Sequence, residues 1–531
     1  MKKDKNQTGF WHGALLLTAV ALFMKILSVG YRIPYQNITG DIGFYVYQQI
    51  YPFYSIAIIL ATYGFPVIIS RLVSEQLALN NQEEAEEVSR YSFYVLIALG
   101  LTGFTLLYAG APVLANLMKD TRLIFPLRAT AYSFLIMPGI ASIRGYFQGL
   151  ENVVPTAWSQ VTEQTVRVIA ILAISIGLVV KGYDAYATGT GAAIGSVLGG
   201  IAALVLLLVL RMRKKKSFRT PFIQTDVFRF WGIARRVLTE GTLICVSALV
   251  MVLFQLMDAL TVVPGLTEYG FSSTVARETK GVFDRGQPLM QVGNVLATSL
   301  SLSIVPVISK AVAAKNETLI RDKAGLSLKI SFVIGLSASA GLSIIMKETN
   351  MMLFKDDALS PTLSLLAGAI FFSSIGMTAA GILQGIGRAR SAARYAGIGL
   401  LVKGLLNMIL IPVIGINGAA ISTVVGFATV AVLAVGSVHK RVRLGQYSFY
   451  ISRTIAAVGI MSVAVILLHL FVPSAISRSM ASLSSLAGAV VGVVIIVLSL
   501  TLLRVFTDKE LMQLPKGEKI MRFQNKLWKG A

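Results

Sequence analysis

Long apolar stretches follow one another along the whole of this 531-residue chain. A helix rises about 1.5 Å per residue, so a stretch of about 20 residues crosses a hydrocarbon core of about 30 Å. The composition agrees, because 55% of the residues are hydrophobic and only 14% are charged, against roughly 25% charged in soluble domains. The pattern excludes a soluble enzyme, a disordered chain and a disulfide-rich secreted scaffold. It predicts an all-α polytopic membrane protein.

The apolar stretches predict about 14 transmembrane helices. The first stretch follows a basic N-terminal segment and no A-x-A-like cleavage site comes after it, so we expect it to be retained as a span. The predicted helices comprise residues 10–31, 51–71, 91–117, 128–147, 157–180, 186–210, 237–262, 288–309, 326–346, 361–384, 395–413, 417–438, 453–472 and 485–504.

Positive charges are distributed unevenly between the two sides of the predicted bundle. Loops and span ends on the side of the N-terminus carry 34 of the 48 lysine and arginine residues, those on the other side carry 11, and 3 lie inside spans. Lysine and arginine accumulate in the cytoplasmic loops of membrane proteins. We therefore expect a multi-pass membrane protein with both termini in the cytoplasm. The net charge of +23 then needs no nucleic acid as a partner.

Short motifs recur in the same order in the two halves of the chain. The matched pairs are Gly145–Leu150 with Gly381–Ile386, Gly191–Ile194 with Gly418–Ile421, and Pro66–Arg71 with Pro306–Lys310. Small-residue motifs recur in many helical membrane proteins, but their common order favours a true repeat of six spans. Six is an even number, so both copies have the same orientation, and transporters built in this way bind their cargo between the halves.

The repeat predicts two six-helix lobes and an addition at the C-terminal end. The segments are an N-lobe at residues 1–210, a basic cytoplasmic linker at 211–236, a C-lobe at 237–438, spans 13 and 14 within 439–504, and a cytoplasmic tail at 505–531.

Four cations lie in or beside the predicted spans, and we consider them candidates for substrate binding. They are Lys25, Arg32, Arg167 and Lys403. A charged side chain at mid-bilayer costs about 2.5–3.5 kcal/mol on insertion scales and usually faces a partner or a water-filled cavity. Lys25 and Arg32 are seven residues apart and share one helix face, although snorkelling to the interface is the alternative. Arg167 and Lys403 hold equivalent positions in the repeat.

Three acidic residues are candidates for ion coupling or for a counter-charge. Glu163 precedes Arg167 by four residues, so the two could form an intrahelical pair. The repeat places Gly399 where the second copy would need the same acid, so a cation recurs there without it, which favours cations held for a cargo. Glu240 and Asp258 lie toward opposite ends of the seventh span.

No motif of an enzyme or of a metal site is present in the sequence. There is no phosphate-binding G-x-x-x-x-G-K-[ST] loop, no H-E-x-x-H and no G-x-S-x-G. The three histidines lie in separate segments, and Cys245 is the single cysteine. We therefore expect no catalytic residue, no metal, no cofactor and no disulfide.

Residues 23–75 carry the motifs of a known family. These are Lys25-Ile26-Leu27, Tyr31-Arg32-Ile33-Pro34, Gly40-Asp41-Ile42-Gly43-Phe44-Tyr45, Tyr51-Pro52-Phe53-Tyr54 and the run from Gly64 to Glu75. The chain resembles the polysaccharide-transporter branch of the multidrug/oligosaccharidyl-lipid/polysaccharide exporter superfamily. It is most similar to the stage V sporulation protein B type, which is related to the lipid II flippases.

The resemblance implies a MATE-like, V-shaped fold with a central cationic cavity. It implies movement of a polyprenyl-diphosphate-linked sugar, a lipid II-type peptidoglycan precursor or another polysaccharide unit, from the inner to the outer leaflet by alternating access. Lys25 and Arg32 would meet the diphosphate, aided by Arg167 or Lys403, with membrane lipids and cell-wall synthesis proteins as partners. The alternatives are a cation-coupled multidrug exporter of the same fold, which would want cavity carboxylates, and a non-transporting scaffold for envelope or spore-wall synthesis.

Overall fold

The computed structural model describes residues 20, 23–24, 26–213, 227–444, 448–471, 477–513 and 517–529. Every regular element in these ranges is a helix, which confirms the all-α fold class. The helices, interrupted by a π turn at Leu60–Gly64 and a 3-10 turn at Thr121–Leu123, are α1 Arg32–Ile59, α2 Phe65–Ala78, α3 Gln82–Leu117, α4 Ile124–Gly149, α5 Val154–Val180, α6 Ala185–Arg213, α7 Val227–Glu268, α8 Ser273–Asp284, α9 Gly286–Gly293, α10 Val295–Ala313, α11 Glu317–Ile344, α12 Met346–Phe354, α13 Ser360–Gly385, α14 Ala389–Ile414, α15 Ile416–Val442, α16 Ser448–Phe471, α17 Arg478–Leu502, α18 Asp508–Leu511 and α19 Gly517–Lys529.

Twelve helical segments of the described ranges are long and apolar enough to cross a membrane. This number is consistent with the predicted count of about 14, and two predicted spans account for the difference. Most of the first span, 10–31, lies outside the described residues. The eighth span, 288–309, is divided at Asn294 into α9 and α10.

The chain turns back on itself at Gly40, between the first and second spans. Gly40 has φ +70° and ψ −176°, whereas the residues on both sides of it are helical. The hydroxyls of Tyr31 and Tyr47 are hydrogen-bonded although 16 residues separate them, a separation that would place them about 24 Å apart in a continuous helix. The predicted helices 10–31 and 51–71 are therefore too short at their facing ends, because helix continues up to Gly40 and resumes immediately after it.

Polar side chains explain why the segment around this turn resembles a loop in the sequence. Asn37 and Thr39 each donate a side-chain hydrogen bond to the carbonyl four residues earlier, so each of these donors has a partner on its own helix. Gln36 donates to the carboxylate of Asp41 across the turn, at 2.9 Å. These local bonds pair the polar side chains within the segment, so it can be helical without apolar periodicity.

Two compact units make up the chain, Met1–Asp284 and Arg285–Ala531. In the first unit, α4 packs against α2, α3 and α6, and α6 packs on α5. In the second unit, α13 has the same role, since it packs against α10, α11 and α15, and α15 packs on α14. The same set of neighbours therefore recurs in the same order along the chain, as a repeat requires.

One hydrogen bond is present in both units at equivalent places. In the first unit the Ser74 hydroxyl donates to the Gly149 carbonyl at 3.0 Å, and in the second the Ser309 hydroxyl donates to the Gly385 carbonyl at 3.2 Å. These bonds relate the second and eighth spans by an offset of 235 residues rather than the 240 that the proline motifs suggest. The repeat is thus supported, in a register shifted by more than one helical turn.

The two glycines of these bonds allow unusually close helix packing. A Cβ atom added to Gly149 would lie 2.6 Å from the Val73 side chain, and one added to Gly385 would lie 2.7 Å from the Ile308 side chain. Small residues let backbones approach in this way in membrane bundles. Gly149 and Gly385, which belong to the matched pair Gly145–Leu150 and Gly381–Ile386, therefore both serve helix contact.

The seventh span packs with the first unit. Helix α7 contacts α1, α2 and α3, and a Cβ atom on Gly64 of the π turn would overlap the sulfur of Cys245 on α7. The predicted lobes at 1–210 and 237–438 rest on the sequence repeat and stay a prediction.

Candidate functional site

Two buried arginines of the first unit lie among tyrosines of the second span. Tyr47, Tyr51 and Tyr54 have the i, i+4, i+7 spacing that places side chains on one helix face, and their rings contact one another in turn. The turn at Gly40 brings the end of the first span back to this face, and α5 supplies a second arginine. We name these residues the tyrosine–arginine cluster: Tyr31, Arg32, Tyr47, Tyr51, Tyr54 and Arg167.

Arg167 is oriented by two phenol groups. Its Nη1 donates to the Tyr54 hydroxyl at 3.3 Å and its Nη2 donates to the Tyr31 hydroxyl at 3.1 Å. The guanidinium also lies 5.1 Å and 5.3 Å from the centres of the same two rings. The residue is 5% exposed, so the two tyrosines hold a desolvated charge in a defined position.

Arg32 is fully buried, and its guanidinium lies among the phenol groups of Tyr31, Tyr47 and Tyr51. Its guanidinium carbon lies 4.2 Å from the centre of the Tyr51 ring. Nε, Nη1 and Nη2 are all inaccessible, and none makes a hydrogen bond of acceptable geometry in the described part of the chain. A buried unsatisfied polar group costs about 1–3 kcal/mol, and more when it is charged. The side chain does not reach a surface by snorkelling, and it has donors to offer to an anion.

The cluster carries positive charge without a carboxylate to balance it. Among the described residues, neither Arg32 nor Arg167 has an acidic group within ion-pair distance. Glu163, one turn before Arg167, does not form the intrahelical pair that its spacing allows. It pairs with Arg144 of α4 instead, with Nη2 and Oε2 2.7 Å apart.

Arg144 is a buried residue that the sequence analysis overlooked. It is fully inaccessible, and besides Glu163 it donates to Ser159 at 2.9 Å and to Thr62 of the π turn at 3.0 Å. The charge count assigns it to the cytoplasmic end of the fourth span. The signal that could have found it is its position among small and apolar residues, with Gly145 next to it.

Two other predicted site residues are buried in the described part of the chain. Lys403 on α14 is 1% exposed and interacts with its surroundings, and the same holds for Asp258 on α7. Lys25 lies outside the described residues. The structure therefore brings Arg32 and Arg167 together with the tyrosines, while the roles of Lys25, Lys403 and Asp258 stay predictions.

Glu240 belongs to a half-exposed ion-pair network rather than to the cluster. It accepts from Arg71 at 3.1 Å and lies 3.7 Å from Arg236. Both arginines also bind Glu75, at 3.1 Å and 2.9 Å. The network ties α2 to α7 by two cations and two anions.

The chemistry of the cluster suits an anion. Guanidinium groups pair with phosphate and carboxylate oxygens in a bidentate fashion, and phenol hydroxyls add neutral donors. No group of three or more metal-ligating side chains occurs within the ranges that the structure describes.

The turn that assembles the cluster depends on glycine at position 40. At φ +70° and ψ −176° an L-residue is strained by about 1–3 kcal/mol. We expect Gly40→Ala to lower the midpoint temperature of thermal unfolding of the purified protein. Gly30→Ala is the matched control, because both positions have open space for a Cβ and only Gly40 has a positive φ. Equal midpoints for the two variants would contradict this role of Gly40.

The fold and the cationic cluster define a multi-pass helical membrane protein of the multidrug/oligosaccharidyl-lipid/polysaccharide exporter superfamily, on its flippase branch. The chain belongs to the polysaccharide biosynthesis protein family, whose sequence model matches residues 10–312. This confirms the resemblance carried by residues 23–75.

Relatives in Bacillus subtilis (strain 168) extend over nearly the whole chain. The uncharacterized membrane protein YabM is 37% identical over 519 residues, 97% of each chain. The lipid II flippase MurJ is 26% identical and covers 85% of this chain and 87% of its own. Stage V sporulation protein B is 26% identical and covers 88% and 89%.

The solved structure of lipid II flippase MurJ in an inward closed conformation has a similar fold. It superposes with a TM-score of 0.68, covers 92% of this chain and 99% of its own, and is 14% identical. At this identity the likeness shows the fold, and it confirms the predicted MATE-like helical architecture.

Proposed function

We propose that this protein is a flippase that moves a polyprenyl-diphosphate-linked sugar from the inner to the outer leaflet of the bacterial plasma membrane. The observation that carries the proposal is the pair Arg32 and Arg167, which is buried and has no carboxylate partner among the described residues. A diphosphate has two negative charges for two guanidinium groups, and charge-assisted bonds to phosphate are among the strongest that proteins form.

Family membership supports the same class of cargo. The family is that of polysaccharide biosynthesis proteins, and one relative is named a lipid II flippase. Export of an envelope glycan unit on a lipid carrier fits both. The proposed cargo is therefore a lipid II-type precursor or another polysaccharide unit.

The tyrosines of the cluster would hold the arginines while no cargo is bound. A cation over an aromatic ring gains about 0.5–2 kcal/mol, whereas one hydrogen bond to a charged group contributes about 1.5–3 kcal/mol. A diphosphate that forms several such bonds displaces the ring contacts of Arg32 and Arg167. The same arginines return to the tyrosines after release, so the charges stay in place between transport cycles.

Membrane potential can supply part of the energy without ATP. An elementary charge that crosses 100 mV is worth about 2.3 kcal/mol, so a dianion that leaves a negative interior gains roughly twice this amount. The excess of 34 over 11 loop cations predicts that both termini lie in the cytoplasm, on the negative side of the membrane. Lys25 and Lys403 remain candidates for further cargo contacts and Asp258 for ion coupling, whereas the ion pairs of Glu240 favour a counter-charge.

A multidrug exporter of cationic compounds is disfavoured by the state of Glu163. Such a protein needs an available carboxylate, but this buried acid is neutralised by Arg144 at 2.7 Å. The described residues around the cluster thus present cations and phenols to a ligand.

A leaflet-accessibility assay tests the proposed function. The full chain is reconstituted in vesicles with a fluorescent undecaprenyl-diphosphate sugar, and the fraction of cargo in the outer leaflet is followed by quenching. We expect protein-dependent movement of this lipid, and none of a fluorescent zwitterionic phospholipid used as control. Well-inserted protein that moves no lipid-linked diphosphate, or that exports a cationic dye instead, would overturn the proposal and leave a scaffold or a multidrug exporter.

A further inference from the structure

A histidine and a glutamate that have no part in the cluster face each other in the second unit. Glu348 lies on the short helix α12, and His469 lies near the end of α16, in the thirteenth span. Nε2 of His469 and Oε2 of Glu348 are 3.8 Å apart. Both atoms are buried, and neither has a hydrogen-bond partner in the described part of the chain.

The backbone determines which nitrogen of His469 carries hydrogen. Nδ1 lies 2.8 Å from the carbonyl oxygen of Val465, and a carbonyl can only accept, so Nδ1 is protonated. In a neutral imidazole Nε2 is then an acceptor. Nε2 lies 3.8 Å from a carboxylate oxygen of Glu348, which also only accepts when it is ionised, so the two buried atoms repel each other until a proton is added.

Packing prevents the ring from turning away from the glutamate. Gly488 of α17 lies against it, since a Cβ at this position would be 2.9 Å from Cε1 of His469. Thr349, next to Glu348, is hydrogen-bonded to Ser485 of α17 at 3.0 Å. Helices α12, α16 and α17 therefore keep the imidazole and the carboxylate opposite each other.

The other charged groups beside the pair are engaged elsewhere. Lys347 of α12 lies 3.7 Å from Asp357, and Arg478 at the start of α17 donates to a backbone carbonyl of α12 at 3.0 Å. Partial burial tends to raise the pKa of Asp356, but hydrogen bonds from Arg285 and from the Ala358 amide outweigh it and hold the pKa below its usual range.

We infer that Glu348 and His469 form a binding site for a single proton, which fastens helix α12 to the thirteenth span. With one proton between them, the repulsive contact becomes a charge-assisted N–H···O bond, for which the usual length is about 2.7–2.9 Å. Histidine is the side chain that ordinarily changes charge between about pH 5 and pH 8. The predicted topology places His469 near the outer end of the thirteenth span and Glu348 just beyond the outer end of the ninth, so the proton comes from the outside medium.

The proton site does not rest on the identity of the cargo. It predicts that acidification strengthens the contact between α12 and α16 in the absence of any substrate. The sign follows from the partner, because a histidine that gains a carboxylate stabilises the fold at low pH and loses this contribution as the pH rises.

Thermal unfolding of the full chain in nanodiscs tests the site. We expect the midpoint temperature of the wild type, compared with His469→Gln, Glu348→Gln and the double variant, to rise on acidification from about pH 8 to about pH 5. The three variants should share one pH profile that lacks this increment. His439→Gln is the matched control, because His439 is exposed on α15, and it should keep the wild-type profile.

A spectroscopic measurement keeps the inference testable when a variant is too unstable to compare. Histidine side-chain nitrogens are followed by NMR in protein labelled with ¹⁵N-histidine, and the signal lost in His469→Gln is assigned to His469. We expect this signal to respond differently to acidification in Glu348→Gln and in the wild type. An identical titration in both proteins, or a wild-type stability profile in His469→Gln, would overturn the inference.

Discussion

Replacement of Arg167 by methionine is expected to abolish movement of the lipid-linked diphosphate while the protein still inserts and folds. Each lost hydrogen bond between the guanidinium and a phosphate oxygen removes about 1.5–3 kcal/mol, so the loss of two slows transport by roughly 100-fold or more. The assay is the initial rate of leaflet exchange in vesicles. Arg167→Lys should keep part of the rate, because it retains the charge and loses the bidentate geometry.

Arg122→Met is the matched control for this experiment. Arg122 also has an aromatic partner, Tyr186, and an ion pair with Asp184, but its side chain is 55% exposed. We expect transport by this variant at the wild-type rate. A wild-type rate for Arg167→Met would remove the tyrosine–arginine cluster from the transport mechanism.

Replacement of Glu163 by glutamine is expected to cause the largest loss of stability. Its partner Arg144 is fully buried and the carboxylate side chain is 5% exposed, and breaking a buried pair costs about 3–5 kcal/mol because one charge is left uncompensated. The measurement is the free energy of unfolding by denaturant in detergent. A double replacement, Arg144→Met with Glu163→Met, should recover much of the loss, since it removes both charges.

The exposed pair of Arg122 and Asp184 provides the comparison. Both side chains are about half exposed, and such pairs contribute about 0–1 kcal/mol. Asp184→Asn should therefore be nearly neutral. If Glu163→Gln were as mild as Asp184→Asn, Arg144 and Glu163 would not stabilise the junction of α4, α5 and the π turn.

Each membrane-spanning helix needs a long apolar stretch in the sequence, which explains why most spans were predicted correctly. Backbone groups in lipid must be bonded within the helix, so length and hydropathy alone indicate each crossing. The predicted helix boundaries are wrong where polar side chains form hydrogen bonds with carbonyl groups of their own helix. Residues 32–50 include the polar residues Asn37 and Asp41, yet they are helical on both sides of Gly40.

The candidate site was only partly predictable. Arg32 and Arg167 stand out in the sequence because a charged side chain in or beside an apolar span is costly and usually has a functional role. Arg144 is counted with a span end by the charge count, and the spacing of Glu163 allows an intrahelical pair with Arg167 that the structure does not contain. Sequence spacing describes neighbours on one helix, whereas the partner of Glu163 comes from another helix, 19 residues away along the chain.

The sequence by itself determined that this chain is a helical membrane protein with a repeated bundle, and the family to which it belongs. The helical class follows from local composition and length, and the family follows from the motifs at residues 23–75. Only the tertiary structure decided that Tyr31 and Arg32 fold back beside Tyr47, that Arg144 takes the carboxylate of Glu163, and that Arg167 is left with phenols. The reason is physical: a buried charge is assigned its partner by the packing of separate helices, and a single turn at Gly40 changes which side chains meet.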